Sequence, residues 1–494
     1  MRPHIPFALS AIIDRAAYAV LLALLTLAQG VGEASDIFFA VTTVPAVLMT
    51  VLNEAAFVIM LRVVTNPAPD EALRWRVTGQ HGLALTLLFL GLGGGIALGA
   101  DPLIRLLAPG LTGAAHDKAV QLQRLTAALL PLQGMAAIFG TVLIGHEKTW
   151  PGALRLPLTS GGAALGALLC LWQGDGSIDG FIFSLIAAAA VVTLGLGVRA
   201  FGLCHGLRVL HWPRRQVMVE MVRGLTVLGG SGMAANGIVL VERTLASGLG
   251  EGALSSISLA RSFVPLLGVI STSVATGWFS LSLAKGRGQQ QEPDIARTGC
   301  EMMTLSLLIL VPLMALFLAH TADVVALLFE RGRFTAADTG MLQPMAVAFA
   351  LGAPLFAISI PLGRTLLMCK ADGTLLVFAW GGFGLYIVLA LLWSKGMGGG
   401  TFGLIAAYVV AMLIQSLAQM YYLTARLGRT LLAVPLGRLL CLAALVGAVL
   451  AISAHLMPGD VNRLIGLGAD TGLTLAVFVL ATSWLGLSPG RTAP

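Results

Sequence analysis

Apolar stretches long enough to cross a bilayer follow one another along nearly the whole of this 494-residue chain. Crossing a ~30 Å hydrocarbon core takes about 20 helical residues, and the runs reach that length again and again. No water inside the bilayer can satisfy a bare peptide group, so runs of this length cross as α-helices, whose peptide groups bond within the segment. Composition agrees: 57% of residues are hydrophobic and 11% charged, against roughly a quarter charged in a soluble domain. The expected fold is an all-α polytopic membrane protein. Fourteen spans are read near residues 6–29, 36–61, 79–104, 120–144, 152–173, 179–202, 222–244, 255–284, 300–326, 341–368, 374–394, 401–425, 432–455 and 464–487.

The distribution of the net charge of +7 decides what it is for. With the N-terminus inside, 20 of the 30 Lys and Arg residues fall on cytoplasmic segments and 8 on outside loops. Positive charge gathers on the cytoplasmic side of membrane proteins, so the bias predicts an orientation with both termini in the cytoplasm. The basic balance is topology and implies no nucleic acid. The first apolar stretch contains Asp14 and Arg15 and offers no small-residue cleavage site, so no signal peptide is expected. The five cysteines and eight histidines are scattered without metal-ligand or redox spacing. No serine sits in a nucleophile elbow, and the outside loops are too short to house a catalytic domain. Neither an enzyme nor a cofactor or metal is expected.

Two stretches repeat one another. Leu106-Leu-Ala-Pro-Gly110 with Ala114, Ala115 and Lys148 corresponds to Leu327-Leu-Phe-Glu-Arg-Gly332 with Ala336, Ala337 and Lys370; Gly110 and Gly332 differ by 222, as do the two lysines. Val44-Pro45 and Val264-Pro265 repeat at an offset of 220. Six spans lie between the copies, an even number, so the repeat is parallel. Such duplications build transporters whose site lies between two related halves. The expected organisation is an N-terminal lobe over 1–202, a linker over 203–221, a C-terminal lobe over 222–427, and two appended helices over 428–494. The linker mixes basic and apolar residues around Trp212, the composition of an interfacial helix on anionic headgroups or of a plain basic connection.

Ionisable groups within membrane spans are costly and mark function. Arg15 sits midway along the first span, Asp36 opens the second, Glu54 lies deep within it, and Arg261 is inside the eighth. A guanidinium grips phosphate oxygens in bidentate fashion, so arginines facing a cavity suit an anionic, phosphate-bearing cargo. The alternative for Arg15 is an intramembrane pair with Asp14 or Asp36. Arg124, Glu242 and Arg243, at span ends, read as interfacial anchors.

These residues also carry a resemblance. Ser35-Asp-Ile-Phe-Phe39, Val44-Pro45 and Asn53-Glu-Ala-Ala-Phe57 resemble the second helix of the MurJ/MviN lipid II flippases, a branch of the MOP exporter superfamily. Glu242-Arg-Thr-Leu-Ala-Ser247, Gly252, Ala260-Arg261 and Pro265-Leu-Leu-Gly268 resemble its seventh and eighth helices. Leu328-Phe-Glu-Arg-Gly-Arg-Phe-Thr-Ala-Ala-Asp-Thr339 is similar to its L-F-x-R-G-x-F-T-x-x-D-T signature, and Lys370-Ala-Asp372 stands where the family has R-G-D. The resemblance implies two lobes working by alternating access and a flippase for a polyprenyl-diphosphate-linked saccharide. Arg15 and Arg261 then match the family's cavity arginines, and Asp36 and Glu54 its second-helix acids. A groove beside the last two helices would receive the polyprenyl tail. Partners implied are the phospholipid bilayer, the lipid-linked saccharide and envelope-assembly enzymes. The chain departs from the family at Met49 and Thr50, where a basic pair is usual, at Leu21 in place of a helix-1 arginine, and in an eleventh span without an acid or amide for a sodium site. With fewer cavity charges, an exopolysaccharide repeat-unit (Wzx-like) flippase remains an alternative, as does a cation-coupled multidrug exporter of the same superfamily.

Overall fold

In a computed structural model of the chain, the residues described are 4–65, 71–146, 148–203, 211–268, 292–428, 436–456 and 463–484. Among them there is no β-strand. In chain order the helices are α1 (His4–Gln29), α2 (Glu33–Thr65), α3 (Glu71–Leu98), α4 (Ala100–Leu107), α5 (Gly113–Thr126), α6 (Leu129–Gly145), α7 (Thr149–Ala153), α8 (Arg155–Trp172) and α9 (Ile178–Leu203). They continue with α10 (Arg215–Ser247), α11 (Ala253–Gly268), α12 (Glu292–Ala319), α13 (Thr321–Phe329), α14 (Ala336–Met368), α15 (Asp372–Leu391), α16 (Gly400–Leu427), α17 (Leu436–Leu456) and α18 (Arg463–Trp484). Each of the fourteen expected spans meets a helix, and the chain is an all-α polytopic membrane protein. Among the described residues, nine helices are long and apolar enough by themselves to cross a membrane.

Several expected spans differ in extent. The one near 79–104 begins at Glu71 and breaks before Ala100, and the one near 300–326 breaks at His320. Hydropathy marks where apolar side chains stop, whereas the hydrogen-bonded helix runs on past the polar boundary. The second half of the span near 255–284 lies outside the described residues. So do residues 204–210 of the linker; residues 211–214 are not helical, and α10 starts at Arg215.

The duplication is visible in the order of elements. α1–α4 correspond to α10–α13, α5 with α6 to α14, α8 to α15 and α9 to α16, which leaves α17 and α18 without counterparts. Packing divides the chain into two compact units, Met1–Ser258 with Gly332–Phe334, and Leu259–Arg331 with Thr335–Pro494. This boundary differs from the sequence division at residues 203–221, because α10 belongs with the first unit. Small residues bring α10 against α2: a Cβ on Gly232 would stand 3.4 Å from Val51. The core of the first unit gathers Met49, Met60, Phe89, Leu130, Ile138 and Val142 around α2. In the second unit, Met303, Leu362, Leu366 and Leu423 join α12, α14 and α16. Leu307 and Leu308 of α12 meet Leu442, Val446 and Leu450 of α17.

The two repeated glycines have reciprocal seats. A Cβ on Gly110 would come within 1.8 Å of the Ser247 carbonyl at the end of α10. One on Gly332 would come within 2.3 Å of the Leu27 carbonyl near the end of α1. Leu27 and Ser247 are themselves 220 residues apart, so each copy's glycine rests on the first helix of the other copy. Gly332 also has φ +61°, which a side chain would strain, and the next amide, Arg333 N–H, donates to Leu27 O at 3.1 Å. The remainder of that signature is helix-start chemistry. Phe334 is 2% exposed, Thr335 and Asp338 form a capping box on α14, and the Thr339 hydroxyl donates to Glu330 at 2.9 Å.

Candidate functional site

A charge placed in a membrane helix by sequence still needs its neighbours identified, and the four expected site residues meet different ones. Arg15 belongs to the first unit, where α1 lies against α8. Its Nη2 is 3.5 Å from Asp14 Oδ2, and its side chain is 40% exposed against 9% for Asp14. The other Asp14 oxygen accepts a 2.7 Å hydrogen bond from Ser160 on α8. Arg155, at the start of α8, is also within the field of Asp14, and its Nη1 is buried with no hydrogen-bond partner among the described residues. Asp14 is thus ion-paired with Arg15, and its charge also acts on Arg155. Nothing in the local sequence signals that the start of α8 brings Arg155 within the field of Asp14 on α1, a tertiary fact.

A third guanidinium joins the same unit. Arg243 of α10 donates through Nη1 to the Thr43 hydroxyl and, at 3.2 Å, to the Phe39 carbonyl, both on α2. It also stands 5.5 Å from the Phe39 ring centroid. The Tyr18 hydroxyl of α1 lies within electrostatic reach of Arg243, Arg15 and Asp14. The reading of Glu242 and Arg243 as interfacial anchors is thereby corrected: Glu242 is 0% exposed, and Arg243 faces α2. The physical reason is that α10 runs to Ser247 and presses this turn against its neighbour.

Asp36 is 4% exposed, and its carboxylate is spent on backbone. Oδ2 accepts from Gly252 N–H at 2.8 Å and Oδ1 from Ser255 N–H at 2.7 Å, the two amides opening α11. The opposite contact is also made, Glu33 N–H to Glu251 Oε1 at 3.3 Å. The loops preceding α2 and α11, equivalent in the duplication, thus meet each other. A carboxylate on a helix N-terminus satisfies amides that have no intrahelical acceptor and complements the helix dipole. The Glu54 side chain lies outside the described residues.

Arg261, on α11, belongs to the second unit. Its guanidinium carbon is 4.4 Å from the centroid of the Tyr408 ring on α16 and 5.6 Å from that of Phe349 on α14. Cation–π stacking engages the flat face of an arginine, contributing about 0.5–2 kcal/mol. The departures noted in sequence are apolar or self-contained here. Met49 is 4% and Leu21 0% exposed, and the Thr50 hydroxyl donates to its own helix at Ala46 O, 2.9 Å away.

Residues 26–466 match the family described as "Lipid II flippase MurJ". The chain belongs to the MurJ family. A relative from Synechocystis sp., "Probable lipid II flippase MurJ", is 26% identical over 279 residues, covering 52% of this chain and 50% of that protein. One of the same description from Rhizobium meliloti is 25% identical over 351 residues, covering 67% and 63%. The chain thus aligns with about half to two thirds of the length of these MurJ relatives. Among solved structures, "Lipid II flippase MurJ, inward closed conformation" shares the fold with TM-score 0.77 at 17% identity, covering 97% of this chain and 98% of that one. An inward-facing multidrug-resistance MATE transporter of the MOP superfamily has TM-score 0.67 at 16% identity, covering 84% of this chain.

Proposed function

We propose that this protein is a flippase of the bacterial inner membrane that moves a polyprenyl-diphosphate-linked saccharide of the lipid II class from the cytoplasmic to the periplasmic leaflet. Both termini are cytoplasmic in this reading, and the cycle is one of alternating access. Family membership over most of the chain carries the reading, and the membrane-embedded arginines give it chemistry. Arg261, braced by Tyr408 and Phe349, and Arg15, paired with Asp14, supply donors for the diphosphate. Asp36 acts as a positioning residue. It fastens the loop before α11 to the start of α2 through its two amide contacts. Glu54 contributes charge deeper along α2. Helices α17 and α18 guide the tail.

The expected effect follows from the hydrogen-bond scale. A charge-assisted contact contributes roughly 1.5–3 kcal/mol, so Arg261→Ala lowers flipping about 10- to 100-fold, read as leaflet exposure of labelled precursor in vesicles. Arg261→Lys keeps the charge but not the fork or the stacking surface and falls between. Undiminished flipping by Arg261→Ala overturns the site. Complementation of a strain depleted of its lipid II flippase tests the cargo. A second reading, export of an exopolysaccharide repeat unit on the same lipid carrier, is favoured by Met49 and Thr50 in place of a basic pair; it predicts no complementation together with flipping of the other lipid-linked sugar. A multidrug exporter would instead give a deletion strain altered drug sensitivity.

A further inference from the structure

His320 follows α12 and stands at the N-cap position of α13, and its two ring nitrogens face two carboxylates of the second unit. Nε2 is 2.8 Å from Asp470 Oδ2 on α18, and Nδ1 is 3.4 Å from Asp323 Oδ2 on α13. Asp470 is 2% exposed, and its other oxygen accepts from the Ser453 hydroxyl of α17. The imidazole side chain is 16% exposed. A buried acid in a membrane helix is expensive unless it is paired, and here the pairing is across elements that sequence repetition does not relate. An ionised carboxylate only accepts hydrogen bonds, and a neutral imidazole carries a single N–H. Both contacts are made together only if the cluster holds one proton more than a neutral ring and two carboxylates.

We propose that His320, Asp470 and Asp323 form a proton-binding site that clamps the α17–α18 hairpin onto the α12–α13 corner. The role goes beyond the cargo site and does not depend on it. The hairpin has an apolar anchor on α12 through Leu442, Val446 and Leu450, joined by Val477 and Phe478 late in α18. The early part of α18 is tied by Asp470 to His320. Among described side chains, the titratable groups facing the ring are Asp323 from α13 and Asp470 from α18, while α17 contributes the Ser453 hydroxyl. On α14, Asp338 is engaged by Thr335, and Glu330 at the end of α13 is engaged by Thr339. The side chains of His455 and Arg463 lie outside the described residues. A doubly protonated ring bridges two acids; a ring that has given up its proton holds only one of them, and the hairpin loosens.

The test is thermal unfolding of the full chain in lipid nanodiscs between about pH 5 and 8, the range over which imidazole ordinarily titrates. The wild type is expected to lose several degrees of midpoint as pH rises through this window. His320→Gln, which keeps an uncharged hydrogen-bonding side chain, and Asp470→Asn are each expected to flatten the profile. Should either fail to fold, Asp323→Asn carries the test, because it leaves the buried pair in place and is expected to shrink the step. The proposal is overturned if His320→Gln, or Asp323→Asn in its stead, retains the wild-type profile, or if the wild type shows no step. The readout involves no cargo, so its failure leaves the flippase reading standing, and loss of flipping in Arg261→Ala says nothing about the clamp.

Discussion

At the scale of single residues, the motifs that signal the family turn out to be mostly structural. In the stretch from Leu328 to Thr339 the glycine supplies left-handed backbone and a close approach to Leu27, and the threonine and aspartate cap α14. Replacing Gly332 by alanine puts a Cβ against a carbonyl in a conformation that itself costs about 1–2 kcal/mol. The expected result is a clear fall in the unfolding midpoint of purified protein, larger than that of Thr335→Ala, which removes a cap of about 1 kcal/mol. Equal midpoints for Gly332→Ala and wild type would show that the turn tolerates a side chain. Sequence could locate Asp36 as a charge in a membrane helix but not its destination. Its partners, Gly252 and Ser255, lie 216 and 219 residues away. Glu242 failed for the same reason, since nothing local distinguishes the last turn of a span from a buried turn of a longer helix.

Helices were the most legible level. Fourteen hydrophobic spans map onto fourteen helical regions because the hydrocarbon core imposes both apolar side chains and internally satisfied backbone. Breaks such as that between α3 and α4 were not legible, since the short amphipathic helix continues the apolar run. The start of α4 carries its own charge cluster. Asp101 Oδ1 is 2.8 Å from His116 Nε2 on α5, and Oδ2 is 3.1 Å from Arg105 Nη2. The His116 contact first, and Arg105 after it, hold the Asp101 carboxyl below its usual 3.8. A lowered carboxyl favours the folded form above its unfolded value and loses that contribution as pH falls through the lowered one. Hydrogen exchange over residues 100–126 is therefore expected to stay protected through mild acid and to rise only below about pH 4, the ordinary carboxylate range. In His116→Ala the rise moves to higher pH. An identical acid transition in the variant would remove His116 from the account.

For the molecule as a whole, parallel duplication places equivalent loops face to face, with Glu33 against Glu251 and Asp36 against the start of α11. If those loops part during each cycle, joining them stops it. Cysteines at positions 33 and 251, in a background without the five native ones, are expected to abolish flipping when bridged by a short bifunctional reagent and to restore it when a cleavable bridge is cut. Continued flipping with the bridge intact would show that these loops stay together. The reciprocal seating of Gly110 and Gly332 bears on how the protein is made as well as on how it works. Leu27 is synthesised 306 residues ahead of Arg333, whose amide its carbonyl accepts. Until that distant stretch has been made and inserted, the end of α1 lacks this partner, so a helix made early is completed late.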